Sequence, residues 1–311
     1  MIFIEKLFKL RKRNVLSQEA LSENLVPSRL RISRLLMYFV LVSIFLFISS
    51  NVGQYLIELQ YTERKIALLI QGVIFTGLTL FVLFILKKRS PNVFKKIGLK
   101  GVNSLSKLIV AIALPIILVL LGILTANLFG GIENVSLNLT MSVLMAVLMN
   151  TVTALLYEAF PEEVFIRGLI FEELHKKFRF IFSLILQSFI FVCVPIMVAA
   201  MDSLFFSKPF TINIGYLILL FVFGITLQLY RKYTGTIWMN ILFHIIYLEV
   251  ARYISMGNTY EPDIALLVFD EAVGGFMLLY LSFLFILLFS IVVLAILLLI
   301  DKRKHTLQLE N

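Results

Sequence analysis

The stretch YEAFPEEVFIRGLIFEEL, Tyr157 to Leu174, sets Glu158, Glu162, Glu163 and Arg167 inside one of the longest apolar regions of a 311-residue chain that is 60% hydrophobic. A charge at the centre of a bilayer costs ~2.5–3.5 kcal/mol even on a lenient insertion scale, so its presence marks function by default. On a helix, Glu163 and Arg167 are four apart with the acid first, the favourable order for an ion pair. Glu158 and Glu162 are also four apart and would repel unless one were protonated by burial. Pro161 suits the opening turn of a helix, where its missing N–H costs nothing. Glu162 and Glu163 are thus expected at a helix start or kink, favoured there by the local dipole. Two readings stay open at this point: a reactive carboxylate, or a salt bridge that pins one helix to its neighbours.

A second polar position lies in GTIWMNILFHIIYLE. His244 falls about eleven residues into its apolar run, near mid-depth at ~1.5 Å per residue. Asn240 and Tyr247 share its helical face. A histidine hydrogen-bonded within the bundle is the plainer alternative. Glu162 is expected to face His244 across a polar cavity open toward the cytoplasm. A catalytic zinc site wants three protein ligands, and only Glu162, Glu163 and His244 offer such a set; no metal and no cofactor is expected.

The elements that must position these groups are membrane helices. Mean hydropathy is +0.98, charged residues make up 15%, and apolar runs of about 20 residues recur, which is the signature of a polytopic bundle. The expected fold is an all-α transmembrane helix bundle of about eight spans, near 35–57, 66–86, 105–129, 138–174, 180–201, 212–230, 236–254 and 276–300. The fourth region is too long for one straight crossing and must tilt, bend at Pro161 or start at the interface. A basic segment 1–34 precedes the bundle 35–300, and a tail 301–311 follows. The first residues, MIFIEKLFKLRKRN, do not have the order of a cleavable signal peptide. They suit either a basic amphipathic helix on the membrane surface or a solvated tail.

With the N-terminus in the cytoplasm, 23 of the 28 Lys and Arg residues fall in inner segments and four, Arg64, Lys65, Lys208 and Arg252, in outer ones. That positive-inside bias supports both termini inside. It also assigns the net charge of +9 to topology and not to nucleic acid. Cys193, the single cysteine, allows no internal disulfide. The chain has no internal repeat and no separate soluble domain.

EEVFIRG followed by GTIWMNILFH resembles the CAAX protease and bacteriocin-processing (CPBP, Abi) family of intramembrane endopeptidases, over roughly 138–254. The family pattern is Glu-Glu-x-x-x-Arg, then Phe-x-x-x-His on the next span, then His-x-x-x-Asn or Asp two spans later. The resemblance implies that Glu162 is the general base for water, helped by the second-motif histidine. It gives His244 and the third-motif Asn an oxyanion-stabilising role. Counting from Phe191 puts Pro195 at the second-motif histidine, and Leu248 stands at the Asn/Asp position. Glu162, Glu163, Arg167 and His244 remain as the catalytic set; both helpers are replaced. Loss of an oxyanion donor costs ~10²–10³ in rate and loss of an acid–base partner ~10²–10⁴. Asn240 is the available substitute donor. Two functions follow from the resemblance: an endopeptidase acting on membrane-associated or lipidated peptides, or a catalytically inactive relative serving as a membrane scaffold, in bacteriocin immunity or in cell-envelope regulation. The implied location is a bacterial plasma membrane. A transporter would need a continuous polar path, which the spans do not offer.

Overall fold

The computed structural model describes residues 30–99, 101, 104–255, 262–272 and 281–310, without side chains at 281–282 and 304–310. Most of the basic segment 1–34 and much of the acidic loop 255–275 lie outside these residues. The fold is an all-α bundle. In order it comprises α1 (Ile32–Glu58), α2 (Arg64–Arg89), a single turn Val93–Lys96, α3 (Leu105–Leu128), α4 (Met141–His175), α5 (Phe180–Phe206), α6 (Ile214–Thr234), α7 (Trp238–Glu249) and α8 (Ser290–Glu310). A π-helical stretch Val250–Ser255 extends α7, and another, Leu281–Phe289, leads into α8.

Among the described residues seven helices are long and apolar enough to cross a membrane, and the chain is a multi-pass membrane protein. They match seven of the eight expected spans. The remaining one, 236–254, is present as α7 and its π extension. It is shorter than its neighbours and carries His244, Glu249 and Arg252, which explains why length and hydropathy alone do not mark it as a span. An element outside expectation is a two-stranded antiparallel sheet, β1 (Ile132–Leu137) with β2 (Leu267–Glu271), pairing Ile132 with Glu271 and Leu137 with Leu267. Its register shifts between Glu133 and Ser136, where Asn134 takes a positive φ of 50°.

Outward faces of the spans are apolar, as with Val40, Ile44 and Ile48 on α1 or Leu120 and Leu124 on α3. Lipid tails are as apolar as leucine, so these faces need no protein cover. The interior gathers on α4, where every residue from Glu163 to Ile170 is buried, and on α6, the most enclosed of the seven long helices.

The 35-residue α4 would measure ~52 Å at 1.5 Å per residue, well beyond a ~30 Å hydrocarbon core. It does not break at Pro161. It passes through two π-helical segments, Leu155–Ala159 and Glu163–Ile170, on either side of that proline. In the first, the Phe160 N–H reaches back to the Leu155 carbonyl. The next carbonyl, Leu156, would need an N–H from Pro161, which has none. The Thr76 hydroxyl of α2 donates to it instead, at 2.5 Å. This reach requires α2 to lie close. Gly72, one turn before Thr76, allows it: a Cβ there would meet Leu156 Cβ at 2.9 Å.

Candidate active site

The second π segment of α4 carries the charged cluster. Such segments insert an extra residue per turn and recur at functional sites. Arg167 Nη1 lies 3.2 Å from Glu163 Oε1, both side chains fully buried. This is a charge pair and not a hydrogen bond, since Arg167 Nε, Nη1 and Nη2 have no hydrogen-bond partner among the described residues. The guanidinium sits over the Phe191 ring of α5, 4.3 Å from its centroid. The expected Glu163–Arg167 pair is therefore present.

α7 brings the second half. His244 Nδ1 is 3.2 Å from Glu163 Oε1, and Asn240 Nδ2 donates to Glu163 Oε2 at 3.2 Å. The shared face of Asn240 and His244 is as expected, but their partner is Glu163, not Glu162. Tyr247 packs on the same side, with its ring 4.8 Å from that of Phe223, which also meets the His244 ring edge-on at 4.7 Å. Glu163 thus receives Arg167, His244 and Asn240 together. A carboxylate held by three groups is fixed in place, and it compensates a buried guanidinium that would otherwise be very costly.

Glu162 is different. It is half-buried and forms no hydrogen bond or ion pair among the described residues. Its backbone links the short Phe160–Glu162 turn to the π segment. Two neighbouring residues on one helix point about 100° apart, so Glu163 facing α7 turns Glu162 away from His244. Asn240, expected as a stand-in oxyanion donor, donates one amide N–H to Glu163, and its Oδ1 is buried with no hydrogen-bond partner among the described residues.

The positions that depart from the family pattern can be placed. Phe191, from which the resemblance counts to Pro195, is buried against Arg167 and Phe223, whereas Phe189 is exposed; Pro195 follows one turn on inside α5. Leu248 is a half-buried part of the core. Among the described residues, no three His, Cys, Asp or Glu side chains converge as metal ligands would, so Glu162, Glu163 and His244 are not gathered into one set.

Sequence reasoning missed several partners. Arg252, counted only as an outer charge, bonds Glu158 at 2.6 Å and Asn150 at 3.0 Å. This relieves the expected Glu158–Glu162 repulsion by a counter-charge from another element. Asn150 and Thr151 both donate to Glu249. Arg231, counted only as an inner charge, is buried at the end of α6. It donates to the Arg167 carbonyl, to Glu172 Oε1 at 2.6 Å and to the Lys96 carbonyl at 3.2 Å. The Phe171 N–H bonds the Ile166 and Gly168 carbonyls, and Arg231 serves the carbonyl between them. A cation in the last turn of the span just before the His244 span was the available signal.

Residues 144–248, about a third of the chain, match the family model described as type II CAAX prenyl endopeptidase Rce1-like. No curated protein matches the chain. The match covers Glu162, Glu163, Arg167, Phe191 and His244; of these, the π-helical turn of α4, the facing side of α5 and the buried face of α7 bring Glu163, Arg167, Phe191 and His244 together, with Glu162 beside Glu163 in sequence. Over that segment the chain matches the Rce1-like model of the CPBP family of CAAX proteases, and the match supports an intramembrane protease-like fold.

Proposed function

We propose that the protein is an intramembrane endopeptidase-like protein that takes membrane-associated peptides at the α4–α7 cluster, with Glu162 as the group that acts on water. The observation that carries this reading is the division of labour between the two adjacent glutamates. Glu163 is saturated by Arg167, His244 and Asn240, while Glu162 is partly exposed and uncommitted. A general base needs a carboxylate free to take a proton. Without a second-motif histidine the chemistry is slow, by ~10²–10⁴ against a site that has one. The protein then resides in a bacterial plasma membrane with both termini in the cytoplasm.

Purified protein in liposomes, offered a panel of membrane-anchored peptides, tests this. Slow cleavage that disappears in Glu162→Gln supports the proposal. The second reading, a non-cleaving scaffold in immunity or envelope regulation, is favoured by Pro195 and Leu248 at the helper positions. It predicts no cleavage by the native chain, cleavage restored by Pro195→His with Leu248→Asn, and native behaviour of Glu162→Gln in cells.

A further inference from the structure

A cavity of about 380 Å³ lies between α2, α4 and the π extension of α7, lined by Arg64, Lys65, Asn150, Tyr157, Glu158 and Arg252. Its size falls in the range of small-ligand sites. Arg252 is neutralised by Glu158 at 2.6 Å. Arg64 and Lys65 are exposed and have no hydrogen bond or ion pair among the described residues. Among the described residues, two cations of the lining therefore have no counter-charge paired with them, and Asn150, Thr153 and Tyr157 supply polar groups beside them.

The wall beside them is apolar. Leu68 and Met149 line the cavity, and Met145, Leu148, Met149 and Val152 form an exposed apolar strip along α4. Arg64 is the first residue of α2, so the two cations sit at a span end, at the depth of lipid headgroups. Basic side chains there can pair with phosphate oxygens by charge-assisted hydrogen bonds, while the adjoining exposed apolar strip suits acyl chains. A ligand that meets both has a negative head and an apolar tail.

We propose that this cavity holds the phosphate of an anionic phospholipid, seated on Arg64 and Lys65 with its chains along α4 beside Met145 and Met149. The binding chemistry is that of a phosphate anion; the apolar strip assigns the source to lipid and not to free phosphate. This goes beyond the peptide site, and its readout needs no turnover.

The test uses the full-length protein in mild detergent, with phosphatidylglycerol or phosphatidylcholine added, read by native mass spectrometry and by the unfolding midpoint. The native protein should retain phosphatidylglycerol over phosphatidylcholine. Arg64→Gln with Lys65→Gln should weaken that retention by up to roughly 30-fold, which is ~2 kcal/mol at up to ~1 kcal/mol per exposed ion pair. Arg64→Lys with Lys65→Arg should keep it, and so should Lys88→Gln with Arg89→Gln at the far end of α2. Equal retention by the Arg64/Lys65 double Gln variant, or equal retention of the two lipids, overturns the proposal. Inorganic phosphate or glycerol phosphate that raises the midpoint as much as the lipid overturns the lipid source. The substituted side chains are exposed, and a native midpoint without lipid verifies that the variants fold.

Discussion

Replacing Arg167 by Met leaves Glu163 buried with only His244 Nδ1 and Asn240 Nδ2 as partners. Breaking one side of a buried ion pair costs ~3–5 kcal/mol, because the other charge stays uncompensated. Arg167 also forfeits its stacking on Phe191, which Met partly restores through sulfur–aromatic contact. The loss should appear as a fall in unfolding midpoint of about 6–10 °C, at the ~2 °C per kcal/mol expected for a large domain. Adding Glu163→Gln removes the stranded charge, keeps a carbonyl oxygen for His244 and offers an amide N–H to the unpartnered Asn240 Oδ1. The double variant should therefore recover at least ~2 kcal/mol of the loss, a coupling typical of groups in contact. The assay is thermal unfolding of native, both singles and the double in one detergent, followed by tryptophan fluorescence from Trp238 and by light scattering. A double variant as unstable as Arg167→Met, or two single effects that simply add, would refute the pairing.

Thr76→Val should cost ~1–3 kcal/mol, the penalty of an acceptor left unsatisfied away from water, since the half-buried Leu156 carbonyl loses the one side-chain donor it has among the described residues; denaturation midpoints check this, and Thr76→Ser should be near native. Gly72→Leu should be worse than Gly72→Ala, because Leu156 Cβ and the Tyr157 backbone stand within about 3 Å of the new Cβ. Arg231→Gln should lower the midpoint and disturb the Glu163 site without touching substrate, so Arg231→Lys should recover the Glu172 charge pair but not all three acceptors. Reporter fusions after residues 89, 179, 232 and 304 should read cytoplasmic and one at 261 external; an external signal at 89 would overturn the charge-based topology.

The span pattern was open to sequence reasoning because hydropathy and the Lys/Arg bias act over whole helices. The Glu163–Arg167 pair was open too, since i and i+4 meet on almost any helix. Which glutamate faces His244 was not. That depends on the π turn from Glu163 to Ile170, whose wider ladder shifts the register on which a 3.6-residue reading relies. The proline that creates a free carbonyl at Leu156 was visible, but Thr76, 80 residues away, was not a foreseeable partner. Arg231 and Arg252 were hidden in plain view, because each fits a topogenic role as well as a structural one. The short sheet escaped because six-residue and five-residue strands carry no signal against so many apolar helices.

The central claim is that two adjacent glutamates have opposite jobs, and the unfolding midpoint and peptide turnover of Glu162→Gln and Glu163→Gln, measured side by side, test it. Among the described residues Glu162 has no hydrogen-bond or ion-pair partner to lose, so Glu162→Gln should keep the native midpoint to within ~0.5 kcal/mol and lose turnover. Glu163→Gln strands the buried Arg167 and should lose ~3–5 kcal/mol. A destabilised Glu162→Gln beside a stable Glu163→Gln, or full turnover in Glu162→Gln, would contradict the assignment.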